Sequence, residues 1–307
     1  EITDGEKISS TSQGDENPGD SNNSSRLSNR VIEELQSNLS SSSVTRSSSK
    51  SSPPVNTSLN QDQVQLIADA ATEAVNQSSL GESQDLISIL PKIVEGAQGS
   101  LKDMGLTSSE TIKVVQVVVF SMTQSLNGRG DNLPSSSADS GSSPLETAIS
   151  RVAKTSIGKL DEAGLSPSDV ASASSSLVGT MVGSLDEGGL AASDLSGAVE
   201  TITSGATSAI GEVSGISVSE LSSVIEGITS GATGALDDIS LPGYSSDNLS
   251  NLVEKVTSGS TSALGEIEIN GFSSENLKDV VEKVTSGATK ALGNISMEGY
   301  DASDLTG

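Results

Sequence analysis

Through most of this chain, apolar residues return in steps of four, three, four, three and one. Clear registers are Leu195, Val199, Ile202, Ala206, Ala209 and Ile210, then Leu221, Ile225, Ile228, Ala232, Ala235 and Leu236. The next copy carries Leu249, Val253, Val256, Ser260, Ala263 and Leu264. Such steps line one face of an α-helix. Nine copies close on Val75, Leu101, Leu126, Leu160, Leu185, Ile210, Leu236, Leu264 and Leu292, with one longer step from Leu126 to Leu160. A period of roughly 25–28 residues marks tandem supersecondary units rather than one globular core. The expected fold is all-α: a tandem array of single-helix repeats, each of about five turns, packed antiparallel as a bundle or solenoid.

Helix ends are written between the periodic stretches. Gly105-Leu106, Gly164-Leu165 and Gly189-Leu190 place glycine where a helix stops in a left-handed residue and an apolar residue folds back. Thr107-Ser-Ser-Glu110, Ser166-Pro-Ser-Asp169, Ser217-Val-Ser-Glu220 and Asp301-Ala-Ser-Asp304 read as N-caps with a reciprocating acid. Pro167 falls at a first helical position, where its missing N–H costs nothing. Leu165 with Val170, Ile216 with Leu221 and Tyr300 with Leu305 have the spacing of hydrophobic staples. Pro91, inside the second copy, is expected to break or kink its helix. The late connections, 266–272 and 294–300, read as extended loops tucking Ile and Met inward, with a small added sheet as the competing reading.

One column of small residues runs through the copies, five positions before each closing residue. It holds Ala70, Gly96, Ser121, Thr155 and Thr180, then Gly205, Gly231, Gly259 and Gly287. A mid-helix glycine costs about 1 kcal/mol relative to alanine, so its recurrence needs a reason. The column borders the apolar stripe and predicts close approach of a neighbouring helix backbone, with a face wide enough for two neighbours.

Composition divides the chain. Residues 1–58, rich in Ser and Asn, bury too little apolar surface to fold and read as a disordered tail. Residues 59–127 hold three helical repeats. Residues 128–142 form a flexible insertion rich in Gly, Ser and Asp, and account for the one longer step. Residues 143–307 hold six repeats and the start of another, which reads as a piece of a longer array that a targeting segment could have preceded. Aromatic residues are 1% of the chain, so its core must be Leu, Ile, Val and Ala. The net charge of −25 disfavours nucleic acid and anionic lipid as partners and favours solubility. No stretch is apolar enough to span a membrane.

Chemistry is sparse. The sequence has no His and no Cys, which removes the usual bases, thiolate nucleophiles and zinc ligands. Ser156-Ile-Gly-Lys159 matches a Ser-x-x-Lys spacing and Ser246-Asp-Asn248 a second motif of serine β-lactamases, but their Lys-Thr-Gly is missing and both matches fall within the repeat pattern. The chain reads as no enzyme, with no catalytic residue and no cofactor. Asp161, Glu162, Asp186, Glu187, Asp237 and Asp238 gather at connections and are candidate oxygen ligands for Ca²⁺, against the commoner reading of a solvated acidic surface. Arg129-Gly130-Asp131, in the insertion, matches the tripeptide of animal adhesion proteins that integrins recognise.

Together these features point to a non-enzymatic structural or interaction repeat protein: an exported or surface-tethered spacer, stalk or adhesin-like component whose partner is a protein or cell-surface component. The alternatives are an intracellular, cytoplasmic helical-repeat scaffold that captures a protein or peptide, and a Ca²⁺-stabilised array.

Overall fold

The computed structural model describes residues 84–102, 105–128, 143–187, 190, 192–239, 246–267 and 273–295. Among them are eight α-helices and no strand. They are α1 (Gln84–Leu101), α2 (Ser108–Asn127), α3 (Pro144–Gly158), α4 (Pro167–Glu187), α5 (Ala192–Ser208), α6 (Val218–Gly234), α7 (Ser246–Ser262) and α8 (Ser274–Leu292). The all-α array of single-helix repeats is therefore the observed fold. The first repeat, the N-terminal tail, the insertion from 129 onward and the restart at 301–307 lie outside the described residues.

Local chemistry sets the helix ends. Thr107, Ser143, Ser217 and Ser273 each accept a hydrogen bond from the backbone N–H three residues on, while the side chain there returns to the cap's own N–H. Each such pair satisfies N–H groups that a helix start leaves orphaned. Ser143 and Ser273 cap in the same way as Thr107 and Ser217, two of the four boxes read from sequence; at Ser166 the Asp169 N–H donates to the Ser166 carbonyl at 2.9 Å instead, and Asp301 lies outside the described residues. At the end of α3 the Gly164 φ is +85°, and Leu165 N–H donates back to the Leu160 carbonyl at 3.2 Å. Leu165 is thereby folded onto the core. Gly105 and Gly215 adopt the same left-handed conformation after α1 and α5.

The last turns differ in detail from a plain α-helix. After α5, α6 and α7 the chain tightens into 3₁₀ turns, Ala209–Glu212, Ala235–Asp238 and Ala263–Glu266. These carry the closing residues Ile210, Leu236 and Leu264. Each turn then extends into one buried aliphatic residue, Val213, Ile239 or Ile267. Pro91 does not break its helix, because α1 continues through it. Leu90, Ile93, Val94 and Ala97 around it are buried, and that burial outweighs the single backbone bond proline removes.

The helices form two rows. Consecutive helices pack antiparallel-like between rows, whereas the largest seams join each helix to the one two repeats away: α1, α3, α5 and α7 in one row, α2, α4, α6 and α8 in the other. Within a row the helices are parallel, since early residues meet early ones and late residues meet late ones. Gly197 lies against Glu146, Gly205 against Ser150 and Gly158 against Glu212. Both rows cross the 128–142 segment: Gln98 Nε2 of α1 donates to the Ser156 carbonyl of α3 at 2.8 Å, and Asn127 Nδ2 of α2 to the Ser184 carbonyl of α4 at 3.1 Å. One continuous aliphatic core fills the space between the rows.

The glycine column makes the row seams. A Cβ built on Gly205 would stand 2.9 Å from the Ser150 carbonyl oxygen, on Gly259 2.5 Å from that of Glu200, and on Gly287 2.7 Å from that of Glu226. At Gly231 it would collide with the Ser175 backbone. The obstacle is main chain in every case, so no rotamer change relieves it. Gly183 of α4 is the opposite case, with nothing within 4 Å of such a Cβ. Gly183→Ala should accordingly raise stability by about 0.5–1 kcal/mol, whereas Gly231→Ala and Gly287→Ala should lower it by about 1–3 kcal/mol through overpacking. Thermal melts followed by circular dichroism check the reversal of sign; stabilisation by all three would show that glycine is not needed at the seam.

Candidate functional site

The side chains with the richest polar geometry sit on the rims of these seams. Ten positions before their closing residues, α5 and α6 carry Glu200 and Glu226. Lys255 Nζ of α7 donates to Glu200 Oε2 at 2.7 Å, and Ser258 Oγ to Glu200 Oε1 at 2.9 Å. Glu226 repeats the arrangement one repeat later. It accepts from Lys283 Nζ at 2.8 Å, from Lys290 Nζ at 2.6 Å and from Ser286 Oγ at 3.4 Å, all on α8. Gln116 of α2 occupies the same position and reaches Thr180 Oγ1 of α4 at 3.1 Å and the Ser176 carbonyl at 3.4 Å. A polar residue on one helix is thus clamped by the next helix of its row.

These contacts set the local ionisation. The hydrogen bond from Lys283, then that from Lys290, holds the Glu226 carboxyl below the ordinary glutamate value. Lys255 does the same for Glu200. Reciprocally, the hydrogen bonds to Glu200 and Glu226 raise Lys255 and Lys283 above the ordinary lysine value. Asp169, at the start of α4, is lowered by the hydroxyls of Ser166 at 2.7 Å and Ser108 of α2 at 2.9 Å, a further link within the row.

The acids proposed for Ca²⁺ are spread over several connections. Asp161 and Glu162 lie in the turn after α3, where Glu162 is bound by Lys159 Nζ at 2.8 Å. Asp186 and Glu187 end α4 and Asp237 and Asp238 lie in the 3₁₀ turn after α6; the side chains of Asp186, Glu187 and Asp238 are outside the described residues. Among the described residues no three or more acidic side chains converge as a metal site would require. Arg129, Gly130 and Asp131 also fall outside them. Gly205, Gly231, Gly259 and Gly287 lie within α5, α6, α7 and α8, as the column predicts.

Catalytic geometry is poorly served by what is described. Ser156 is fully buried in α3, and Lys159, of the same Ser-x-x-Lys match, is committed to Glu162. One open depression of about 550 Å³ runs along the α2–α4–α6 row, lined by Phe120, Ser175, Gly179, Thr180, Gly183 and Gly231. It has no titratable lining residue. A second, of about 370 Å³, has Glu146 and Glu200 in its wall. Glu146 accepts from the Ser143 N–H of its capping box at 2.8 Å, and Glu200 is clamped by α7. The first depression offers hydroxyl and peptide groups, and both carboxylates in the wall of the second are already engaged in hydrogen bonds. No described helix is long and apolar enough to cross a membrane.

The clamp gives a pH signature. A carboxyl lowered on folding stabilises above its unfolded value, ordinarily 4.5 for glutamate, and ceases to do so as pH falls through the lower folded value. A raised lysine stabilises below 10.5 and ceases to do so as pH rises through its folded value. The Tm difference between the natural chain and Glu226→Gln should therefore hold from about pH 5.5 to about pH 10 and close below about pH 4.5. Its size should correspond to no more than about 1 kcal/mol, since both lysines are substantially exposed. Melts across pH test this, and a difference that stays constant as pH falls from about 5.5 to about 2 would exclude the ionised clamp as its source.

No family model and no curated protein matches the chain. Among solved structures, one similar chain is described as a computational design of self-assembling cyclic protein homo-oligomers. It is 12% identical, with 91% of this chain and 99% of that chain covered at a TM-score of 0.33.

Proposed function

We propose that the protein is a non-enzymatic spacer, exported or surface-tethered, whose product is length and hydration rather than a reaction. The observation that carries this reading is the repetition of one seam: glycine against backbone twice in each row, and the same carboxylate, lysine and serine clamp, at the same register, in the last seam of both rows. In such an array every unit contacts mainly its neighbours, so units are added or lost without redesign. The face presented to solvent is rich in carboxylates and hydroxyls, and the full sequence has no Trp. That suits a well-hydrated stalk better than a capture surface, which commonly relies on aromatic and arginine anchors.

Two measurements bear on it. Removing positions 217–272 joins Ile216 to Ser273, exchanging one capping serine for its counterpart two repeats later and deleting one helix from each row. The shortened protein should still melt cooperatively, and its maximum dimension by small-angle scattering should fall by about 10 Å, one interhelical spacing. A shortened chain that fails to fold would contradict the modular reading. In the source cells, protease applied to intact cells should degrade the protein. Full protection until lysis would favour the intracellular scaffold instead.

A further inference from the structure

Each of the last four helices, α5 to α8, has two edges. The backward edge, with the glycine column, faces the preceding helix of its row. The forward edge carries a Glu ten positions before the closing residue and a Thr seven positions before it, and it faces the following helix. On α5 and α6, which have followers, Thr203 and Thr229 are fully buried, and Glu200 and Glu226 are clamped. On α7 the equivalent Thr257 is half-buried, and on α8 the equivalent Thr285 is exposed. The equivalent carboxylates, Glu254 and Glu282, are exposed, and among the described residues no following helix brings a lysine to them.

The apolar stripe changes in step. Leu195, Leu221 and Leu249 are buried, as are Val199 and Ile225, and Val253 is half-buried. Their counterparts on α8, Leu277 and Val281, are 40% and 43% exposed. Leu249, on a helix that has the next helix of the opposite row beside it but no follower in its own among the described residues, is fully covered. Among the described residues Leu277 has neither. The helix that would cover Leu277 and Val281 is therefore the one next after α8, and in its own row that helix would lie on α7, against Glu254.

We propose that the outer edges of α7 and α8 form a docking surface for one further helix of this repeat type, bringing a lysine to Glu254 and apolar residues onto Leu277 and Val281. The occupant's chemistry follows from the two seams already formed. Nine, six and five positions before its closing residue it carries Lys, Ser and Gly, as α7 does in Lys255, Ser258 and Gly259 and α8 in Lys283, Ser286 and Gly287. The lysine and serine meet the carboxylate, and the glycine lets the backbones touch. The surface thus continues an existing interface with complementary charge, and it does not depend on the spacer reading.

The test extends the full chain in register. Asp301 holds the place in its repeat that Ser273 holds in the one before, so a copy of positions 280–295 placed directly after Gly307 completes one repeat. The chain has no cysteine, so Val281→Cys supplies a single thiol probe. The extension should slow modification of that thiol by a maleimide at least tenfold and raise Tm, with the protein remaining monomeric. Reversing to Glu the appended lysine that copies Lys283 should remove much of the Tm gain, and adding Glu254→Lys should restore it. An unchanged labelling rate, protection that appears only with dimerisation, or a Tm gain indifferent to the charge reversal would each overturn the proposal.

Discussion

Close approach of parallel helix backbones within a row is the constraint on which the rest of this structure depends. The core is made of Leu, Ile, Val and Ala with Met122 and Met181 and almost no aromatic volume, so large side chains cannot bridge a wide gap between helices. The gap has to be narrow, and where Gly231 meets Ser175 or Gly287 meets the Glu226 carbonyl it is narrow enough to exclude a methyl group. Each such glycine forfeits about 1 kcal/mol of helix propensity. Dispersion contacts along the seam offset that cost, because they weaken steeply once a gap opens. The Thr residues beside the seam fit the same logic. Thr203 and Thr229 return their hydroxyls to their own helix, to the carbonyls of Val199 and Ile225, so a small polar side chain is buried without needing a partner across the interface.

Charge is organised by the same seam. At a net −25 the chain repels itself, and parallel helices stacked in a row would set repeated glutamates beside one another. The Lys-x-x-Ser-Gly face of each later helix meets the glutamate of the helix two repeats earlier, so an otherwise repulsive position becomes a link. Exposed ion pairs contribute little to stability individually. Their effect here is on register: a helix displaced by one turn would keep its apolar stripe roughly in place but lose the lysine–carboxylate bond and drive a Cβ-bearing residue into main chain.

Much of this architecture was legible in the sequence, because helix periodicity, caps and left-handed glycines are local signals. Thr107 with Glu110, Ser217 with Glu220, Gly105 and Gly164 all act as their spacing implies. The glycine column also declared itself, since a recurrent unfavourable residue requires a contact. Which helix makes that contact was not legible from the period. A one-dimensional repeat fixes the width of a face and leaves open whether its partner lies one copy or two copies away. A signal was present in the pairing of Glu200 with Lys255 and of Glu226 with Lys283, where opposite charges recur at close to twice the period. The break expected at Pro91 does not occur, for a different reason. Its local cost is real, but four buried aliphatic neighbours hold α1 together, and propensity arguments do not count them.

Extensibility is the property that connects this geometry to a biological role. In a closed fold, each core residue answers to many unrelated neighbours, and inserting a unit disturbs all of them. In two interlocked rows, each helix answers to a predecessor and a successor in its own row and to flanking helices in the other. The seam's two edges are complementary to each other, and the forward edges of α7 and α8 carry the same chemistry as those of α5 and α6. A spacer needs this combination: a rule for adding length that leaves the surface hydrated, acidic and otherwise unreactive. It follows that selection on such a chain acts most strongly on small residues at seams and on the charges that set register, and weakly on the outward hydroxyl-rich face, whose composition serves hydration whatever its order.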